Sequence, residues 1–376
     1  MLPFMRPYAV IDADSHIEEP EEMWEYLDPA YKDRRPITVT GENRPDLYGM
    51  NSFWFVDGKT YPHPVGRGVT IYATPVTMDR AVKKPFSIPS QTLSDPHARI
   101  KDMETAGVGV QVNFPTLFLE SLTSDPPFES ALMRAYNSYM AAQCGPVSDW
   151  LKWAALLPLN DVPAAVAEVR RAKELGASAA ATTYGTLGDR PLEEPHLDPV
   201  WAELERQDLP LCIHCGWSNP GITNCFDTSY GAHVLGFTLP VLMAFYAFTG
   251  GGILDRFPKL KLAFLEAGCE WLPYIVQRMD HYYGSELRKG SPIPKRRASE
   301  YLRECQIYLT TEAEERGLPY VMEYIGEDRI MISADMPHGE ARETTVEEIE
   351  ERTDLSDAVK RKLLHDNAAA FYGVSA

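Results

Sequence analysis

Eight short runs with strand character, separated by longer amphipathic stretches, restrict the fold more than any other feature of this chain. The runs are Tyr8–Asp12, Gly109–Asn113, Leu151–Leu157, Ala177–Thr182, Leu211–His214, Lys261–Glu266, Gln306–Thr311 and Arg329–Ala334. Between most of them lie segments such as Val162–Leu175, where Ala, Glu and Arg recur at helical spacing. Alternation of this kind builds a parallel sheet with helical crossovers, and eight repeats predict a (β/α)8 TIM barrel. A doubly wound sheet is the competing architecture. It would carry a glycine-rich phosphate loop after its first strand, and none follows here.

The 376 residues suit one large barrel with insertions, and no linker or internal repeat divides them. A single domain over residues 1–376 is therefore expected. Residues Asp33 to Pro96 interrupt the rhythm with a Pro-rich segment holding Trp54, His63, Arg67 and Arg80. A long insertion after the first strand of a barrel lands on the C-terminal face, where active sites are built. Residues 33–96 are thus expected to form a lid.

Net charge narrows the partners. Thirty-six Lys and Arg against 54 Asp and Glu leave −18 at pH 7. That field repels nucleic-acid phosphates and anionic membranes, so neither is expected to bind, and a small molecule is. Thr228–Leu254 lacks any charged side chain and approaches the apolar density of a membrane span. Pro240 and the run Gly250-Gly251-Gly252 argue instead for a buried barrel helix. Met1–Val10 has no apolar core of signal-peptide length, which predicts a cytoplasmic protein. Six cysteines are too sparse for a disulfide scaffold. Cys212-x-x-Cys215 lacks a second pair to complete a zinc site, so both read as packing thiols.

Three strand ends carry the chemistry. The first runs into Asp12-Ala-Asp14-Ser-His16, where side-chain alternation would put Asp12, Asp14 and His16 on one face. The fifth ends in His214 and the eighth in Asp335. In a barrel these ends share one mouth, and two carboxylates with two imidazoles there suit Zn²⁺ or Mn²⁺.

With these motifs the chain resembles the amidohydrolase-related family of the amidohydrolase superfamily. That branch includes aminocarboxymuconate-semialdehyde, γ-resorcylate and 5-carboxyvanillate decarboxylases. Further matches are Arg256-Phe-Pro-Lys-Leu-Lys261, Glu266-Ala-Gly268 with Trp271-Leu-Pro273, Arg278-Met-Asp-His281, Ala334-Asp-Met-Pro-His338 and Asp366-Asn-Ala-Ala-Ala-Phe-Tyr-Gly373. The resemblance implies metal ligands at Asp14, His16, His214 and Asp335, with Asp335 also moving protons. The family commonly ends its sixth strand in a catalytic His, and here Glu266 stands in that place, as a general base or water holder. No Lys ends the fourth strand, as it does in binuclear relatives, so one divalent ion is expected.

Glu312, Arg342, Arg67 and His233 are candidates to bind substrate, and His338 is a candidate to support Asp335. The resemblance implies a non-oxidative decarboxylase of an aromatic or unsaturated acid. Hydrolysis at the same centre is the alternative, and a barrel that only binds is disfavoured by the complete ligand set. The apolar stretch Val234–Phe248 exceeds what one barrel helix needs, and relatives of this kind associate, so a homodimer or homotetramer is expected.

Overall fold

The computed structural model describes residues 7–42, 45–47, 50–76, 85–285, 294–338 and 343–374. Eight parallel strands lie side by side in chain order: β1 (Ile11–His16), β2 (Val110–Phe114), β3 (Leu151–Leu156), β4 (Ala179–Thr182), β5 (Leu211–His214), β6 (Lys261–Leu265), β7 (Gln306–Thr311) and β8 (Ile330–Ile332). The seam between β8 and β1 is closed just beyond the strands. Asp335 N–H donates to Asp14 O at 3.2 Å, and His16 N–H donates to Met336 O at 2.6 Å. The sheet is therefore the barrel that the alternation predicts.

Each crossover carries a helix, and local chemistry sets several of their starts. Asp95 precedes Pro96 and accepts from His97 N–H, and Asp161 precedes Val162-Pro163 and accepts from Ala164 N–H. A side-chain acceptor at the cap and a proline in the first turn satisfy the orphan donors without losing a helical bond.

Two cores follow from strand alternation. Leu211, Ile213, Leu262, Phe264, Leu309 and Ile332 face the helices. Ile11, Ala13, Ala154, Ala179, Ala181, Cys212, Ala263, Leu265, Tyr308 and Met331 fill the lumen. The C-terminal helix, Asn367–Tyr372, closes the lumen by packing Phe371 on Tyr308 and donating from the Tyr372 hydroxyl to Ala13 O at 2.7 Å.

The first strand lies three to four residues later than its apolar run suggests, at Ile11–His16 rather than Tyr8–Asp12. Its register with β2 slips between Asp12 and Ser15. That irregularity matters for the site below.

The insertion contains a three-stranded antiparallel sheet of Ile37–Thr40, Ser52–Val56 and Lys59–Tyr61. Ser229–Arg256 is helical, and by length and composition it could cross a membrane. It lies instead along β5 and β6, burying Val241, Ala244, Phe245 and Phe248. Val234, Leu235, Leu239, Met243 and Tyr246 stay exposed on its other side.

Candidate metal centre

The ends of β1, β5, β6 and β8 converge on one cluster at the C-terminal mouth of the barrel. His16 and His214 present their Nε2 atoms to each other at 3.2 Å. Each ring is oriented from behind, His16 Nδ1 to Pro115 O at 2.8 Å and His214 Nδ1 to Cys215 O at 2.8 Å. A carbonyl only accepts, so both Nδ1 atoms carry the proton and donate. A neutral ring then offers a lone pair at Nε2, the tautomer that metal-binding imidazoles use. Protons on both Nε2 atoms would face each other at 3.2 Å, so at most one of them is protonated, and a shared cation satisfies both lone pairs at once.

Carboxylates surround it. Asp14 Oδ1 lies 3.4 Å from His214 Nε2 and 3.8 Å from His16 Nε2. Asp335 Oδ1 lies 3.5 Å from His16 Nε2. Glu266 Oε2 lies 2.9 Å from His214 Nε2 and 3.4 Å from His16 Nε2. The Asp14 side chain is 1% exposed, and neither of its oxygens has a hydrogen-bond partner among the described residues. A carboxylate buried without donors is costly unless a cation meets it. The donor set therefore fits a divalent ion.

The charges of the cluster respond to one another. Burial opposes a charge on His214, yet Cys215, Asp14 and Glu266 outweigh it and hold the imidazole well above its ordinary pKa. Burial pushes Glu266 up, but His214 and His16 hold its carboxyl well below the usual carboxylate range. Both shifts express the same unmet demand for positive charge between them.

Asp12 does not join its neighbours in the cluster, contrary to simple alternation. Its carboxylate accepts from the N–H groups of Asp14 (3.2 Å) and Ala334 (3.0 Å), the Ser15 hydroxyl (2.5 Å) and the Gln111 amide (3.0 Å). Burial raises its carboxyl to about 6 in spite of these donors. The register slip between Asp12 and Ser15 is the physical reason. An irregular residue pair breaks the two-residue period, so Asp14 and His16 face the mouth while Asp12 ties β1 to β8.

His338 stands behind the cluster. Its Nδ1 is 2.7 Å from Asp335 Oδ1, its Nε2 is 2.8 Å from Thr116 Oγ1, and its ring stacks on that of His16 at 4.0 Å. It thus sits where a supporting residue for Asp335 is expected.

A cavity of about 240 Å³ opens over the cluster, lined by His233, Phe237, Glu266, Thr310, Glu312, Ser333 and Asp335 among others. His233 donates from Nδ1 to Ser229 O at 2.7 Å, and its Nε2 is buried without a partner among the described residues. Glu312 is exposed at the cavity rim. Tyr72 reaches in from the insertion. Its ring lies 5.6 Å from Trp217, 5.1 Å from His233 and 5.7 Å from His338. Trp217 in turn packs on Phe237 at 4.6 Å.

Of the two arginines expected to contact substrate, only Arg67 is among the described residues. Arg67 is exposed in the insertion and does not line the cavity; the next residue, Gly68, donates its N–H to Phe226 O at 2.9 Å. Arg342 lies outside the described residues, as does Arg80. Sequence reasoning missed Trp217 and Tyr72. Trp217 had a signal, an aromatic three residues beyond His214 at a strand end. Tyr72 had none, since an aromatic inside an irregular insertion could pack anywhere.

Residues 91–374 match the sequence pattern of a family described as Amidohydrolase. The chain belongs to the amidohydrolase family. Gamma-resorcylate decarboxylase of Rhodococcus jostii is 27% identical over 331 residues, covering 78% of this chain and 97% of that protein. The 2-amino-3-carboxymuconate-6-semialdehyde decarboxylase of Dictyostelium discoideum is 22% identical over 281 residues, covering 74% and 77%. Among solved structures, an amidohydrolase from Mycobacterium avium subsp. paratuberculosis superposes with a TM-score of 0.77 at 21% identity, covering 98% of this chain and 99% of that one. A manganese-bound 5-carboxyvanillate decarboxylase from Novosphingobium aromaticivorans superposes at 0.72 with 20% identity, covering 98% and 97%. The fold of this amidohydrolase is thereby placed, and its relatives include decarboxylases of aromatic acids.

Proposed function

We propose that this amidohydrolase is a metal-dependent, non-oxidative decarboxylase of a small aromatic or unsaturated carboxylic acid. The observation that carries the reading is the convergence of unpartnered Asp14 oxygens and two inward Nε2 atoms beside Glu266 and Asp335, which line a cavity bordered by His233 and Phe237. Relatives that match most of the chain and carry out decarboxylation support the choice of reaction. Asp14, His16, His214 and Asp335 would hold one divalent ion, Zn²⁺ or Mn²⁺, and the manganese in a structural neighbour makes Mn²⁺ the first to test. When bound, such an ion supplies Lewis acidity toward a carboxylate and an adjacent oxygen.

The chain's own residues account for the remaining steps. Phe237 and His233, backed by Tyr72 and Trp217, hold the ring and exclude water from its faces. The orphan Nε2 of His233 accepts from a hydroxyl of the substrate. Asp335, steadied by His338, delivers a proton to the ring carbon that bears the carboxylate. The carbon–carbon bond then breaks, its electron pair restores the ring and CO₂ leaves. Asp335 regains its proton from solvent at the cavity mouth. We further take the working protein to be a cytoplasmic homodimer or homotetramer.

Hydrolysis is the second reading, and Glu266 in place of an imidazole favours it. Asp335 would then deprotonate a water that attacks a carbonyl-type carbon and pass the proton to the leaving group. A panel of hydroxybenzoates, esters and lactones in H₂¹⁸O separates the two. CO₂ release without label in the product supports decarboxylation, and label in the product without CO₂ replaces it by hydrolysis.

A further inference from the structure

We propose that Glu266 is itself a ligand of the metal ion, so that the centre is built from three carboxylates and two imidazoles. This rests on the metal-centre reading above and adds to it a fifth protein donor at the end of β6. Donors that share one ion at about 2.0–2.2 Å and near right angles lie about 3 Å from each other. Glu266 Oε2 meets that spacing better than the other carboxylates do. It is 2.9 Å from His214 Nε2 and 3.4 Å from His16 Nε2, against 3.4 and 3.8 Å for Asp14 Oδ1.

A cation between the rings accounts for this contact with both imidazoles neutral, as metal ligands are. Both rings spend their Nδ1 protons on backbone carbonyls, so a neutral ring turns a lone pair toward Glu266. Accordingly Glu266 Oε2 has no hydrogen-bond partner among the described residues. A buried oxygen facing two nitrogen lone pairs is an arrangement that an ion at their common centre resolves.

The backbone points the same way. Ala263 and Leu265 of β6 face the lumen, while Leu262 and Phe264 face the helices. Continued alternation would turn residue 266 outward, away from the mouth. Instead Glu266 takes a left-handed conformation, φ +52°, which brings its side chain back to the axis. Its N–H donates to Thr310 Oγ1 at 3.0 Å and holds that turn. Non-glycine residues rarely adopt this conformation unless the surroundings enforce it, and such residues cluster at functional sites. Asp335, three residues beyond β8, has the same φ of +52°, so these two cavity-lining carboxylates both sit on left-handed residues.

A centre with three carboxylates and two imidazoles is oxygen-rich and exceeds four donors. Such a set suits Mn²⁺, or another hard ion of higher coordination number, better than four-coordinate Zn²⁺.

The test is Mn²⁺ affinity, read from the electron paramagnetic resonance signal of the free aqua ion over a titration. Wild type, Glu266→Gln and Glu312→Gln are compared, with thermal melting to confirm that each is folded. Glu266→Gln should weaken binding by more than about 100-fold, beyond the ~10–100-fold lost with an outer-shell partner. Glu312→Gln removes the same charge from the cavity rim and should bind within about five-fold of wild type, the scale of an exposed charge. A smaller loss than about 100-fold for Glu266→Gln overturns the proposal while leaving the metal centre standing. Wild type that binds no Mn²⁺ overturns the metal centre, and this ligand with it. A variant-free measurement covers the case in which Glu266→Gln fails to fold. In Mn²⁺-loaded wild-type crystals, an anomalous peak within about 2.4 Å of the Glu266 carboxylate supports ligation. A peak separated from Glu266 by a water overturns it.

Discussion

Replacing Arg99 by Met probes the frame that holds the first strand, and its cost can be worked from the geometry. Arg99 is fully buried on the Pro96–Thr105 helix, and burial pulls its guanidinium down to about 10. It donates to His16 O and Ser90 O at 3.0 Å, to Gln111 Oε1 at 2.8 Å and to Asn113 Oδ1 at 3.1 Å. Met keeps most of the apolar stem and removes every donor. The two side-chain amides can turn to other partners, and Ser90 O keeps its bond from Leu93 N–H at 3.4 Å, but His16 O is fixed in the backbone and would lose the donor that Arg99 supplies. At ~1–3 kcal/mol for that carbonyl, with the other lost bonds set against the relief of no longer burying a charge, the variant should lose about 2 kcal/mol.

Urea denaturation of the metal-free protein, followed by tryptophan fluorescence, measures that loss. A second readout tests the link to the site. Because the carbonyl that loses its donor belongs to His16, Mn²⁺ affinity should fall by ~10–100-fold, as for other residues that orient a ligand. Arg99→Lys retains the charge but lacks the fork, and it should fall between wild type and Met on both scales. A stability loss under ~1 kcal/mol would refute the cost assigned to the His16 carbonyl. An unchanged Mn²⁺ affinity alongside the stability loss would show that the frame serves folding alone.

Other outcomes follow from the same structure. Asp335→Asn, which keeps size and removes the proton-transfer group, should lower kcat by ~10²-fold or more on whichever substrate the panel identifies; turnover within a few-fold of wild type would exclude Asp335 as acid or base. Glu120 is raised to about 7 by burial, which its bond from Thr70 Oγ1 at 2.6 Å only partly offsets. A carboxyl raised in the fold holds a proton that the unfolded chain loses, so wild-type stability should decline as pH rises from about 4.5 to 7. Glu120→Gln keeps the acceptor and removes that titration, so its stability relative to wild type should grow over the same window, and parallel pH curves would contradict the assignment. Met243→Glu places a charge among the exposed Val234, Leu235, Leu239 and Tyr246, and light scattering should then give a smaller assembly than wild type. A wild type that already has the mass of one chain at micromolar concentration would refute association.

The sequence carries the barrel because burial of both strand faces leaves apolar runs, and every one of the eight found there is a strand in the structure. Even β4, Ala-Ala-Ala-Thr, is recognisable from its place in the rhythm although alanine favours helix. His214 is legible for the same reason, since it continues the inward positions of an ordinary strand. Arg99 is not legible. On an amphipathic helix an arginine reads as solvent-facing, and only the packed structure shows that it reaches the first strand instead.

Where the reading of individual side chains goes astray, the backbone has left strand geometry. Asp12 should have joined Asp14 and His16 by alternation, and the slip between Asp12 and Ser15 sends it to the seam with β8. Glu266 stands at the mouth as the resemblance implies, but alternation alone would have pointed it at the helices, and only a left-handed residue brings it to the axis. No pattern of apolar and polar residues encodes a bulge or a positive φ at a non-glycine, because neither changes the hydrophobic period on either side of it. Yet these departures are what set the chemistry. Eight regular strands supply eight interchangeable ends, and the irregular residues at β1, β6 and β8 decide which carboxylates reach the two imidazoles. A variant that restored regular alternation at residue 266 should therefore keep the barrel and disperse the centre, which locates the function of this chain in its backbone exceptions as much as in its side chains.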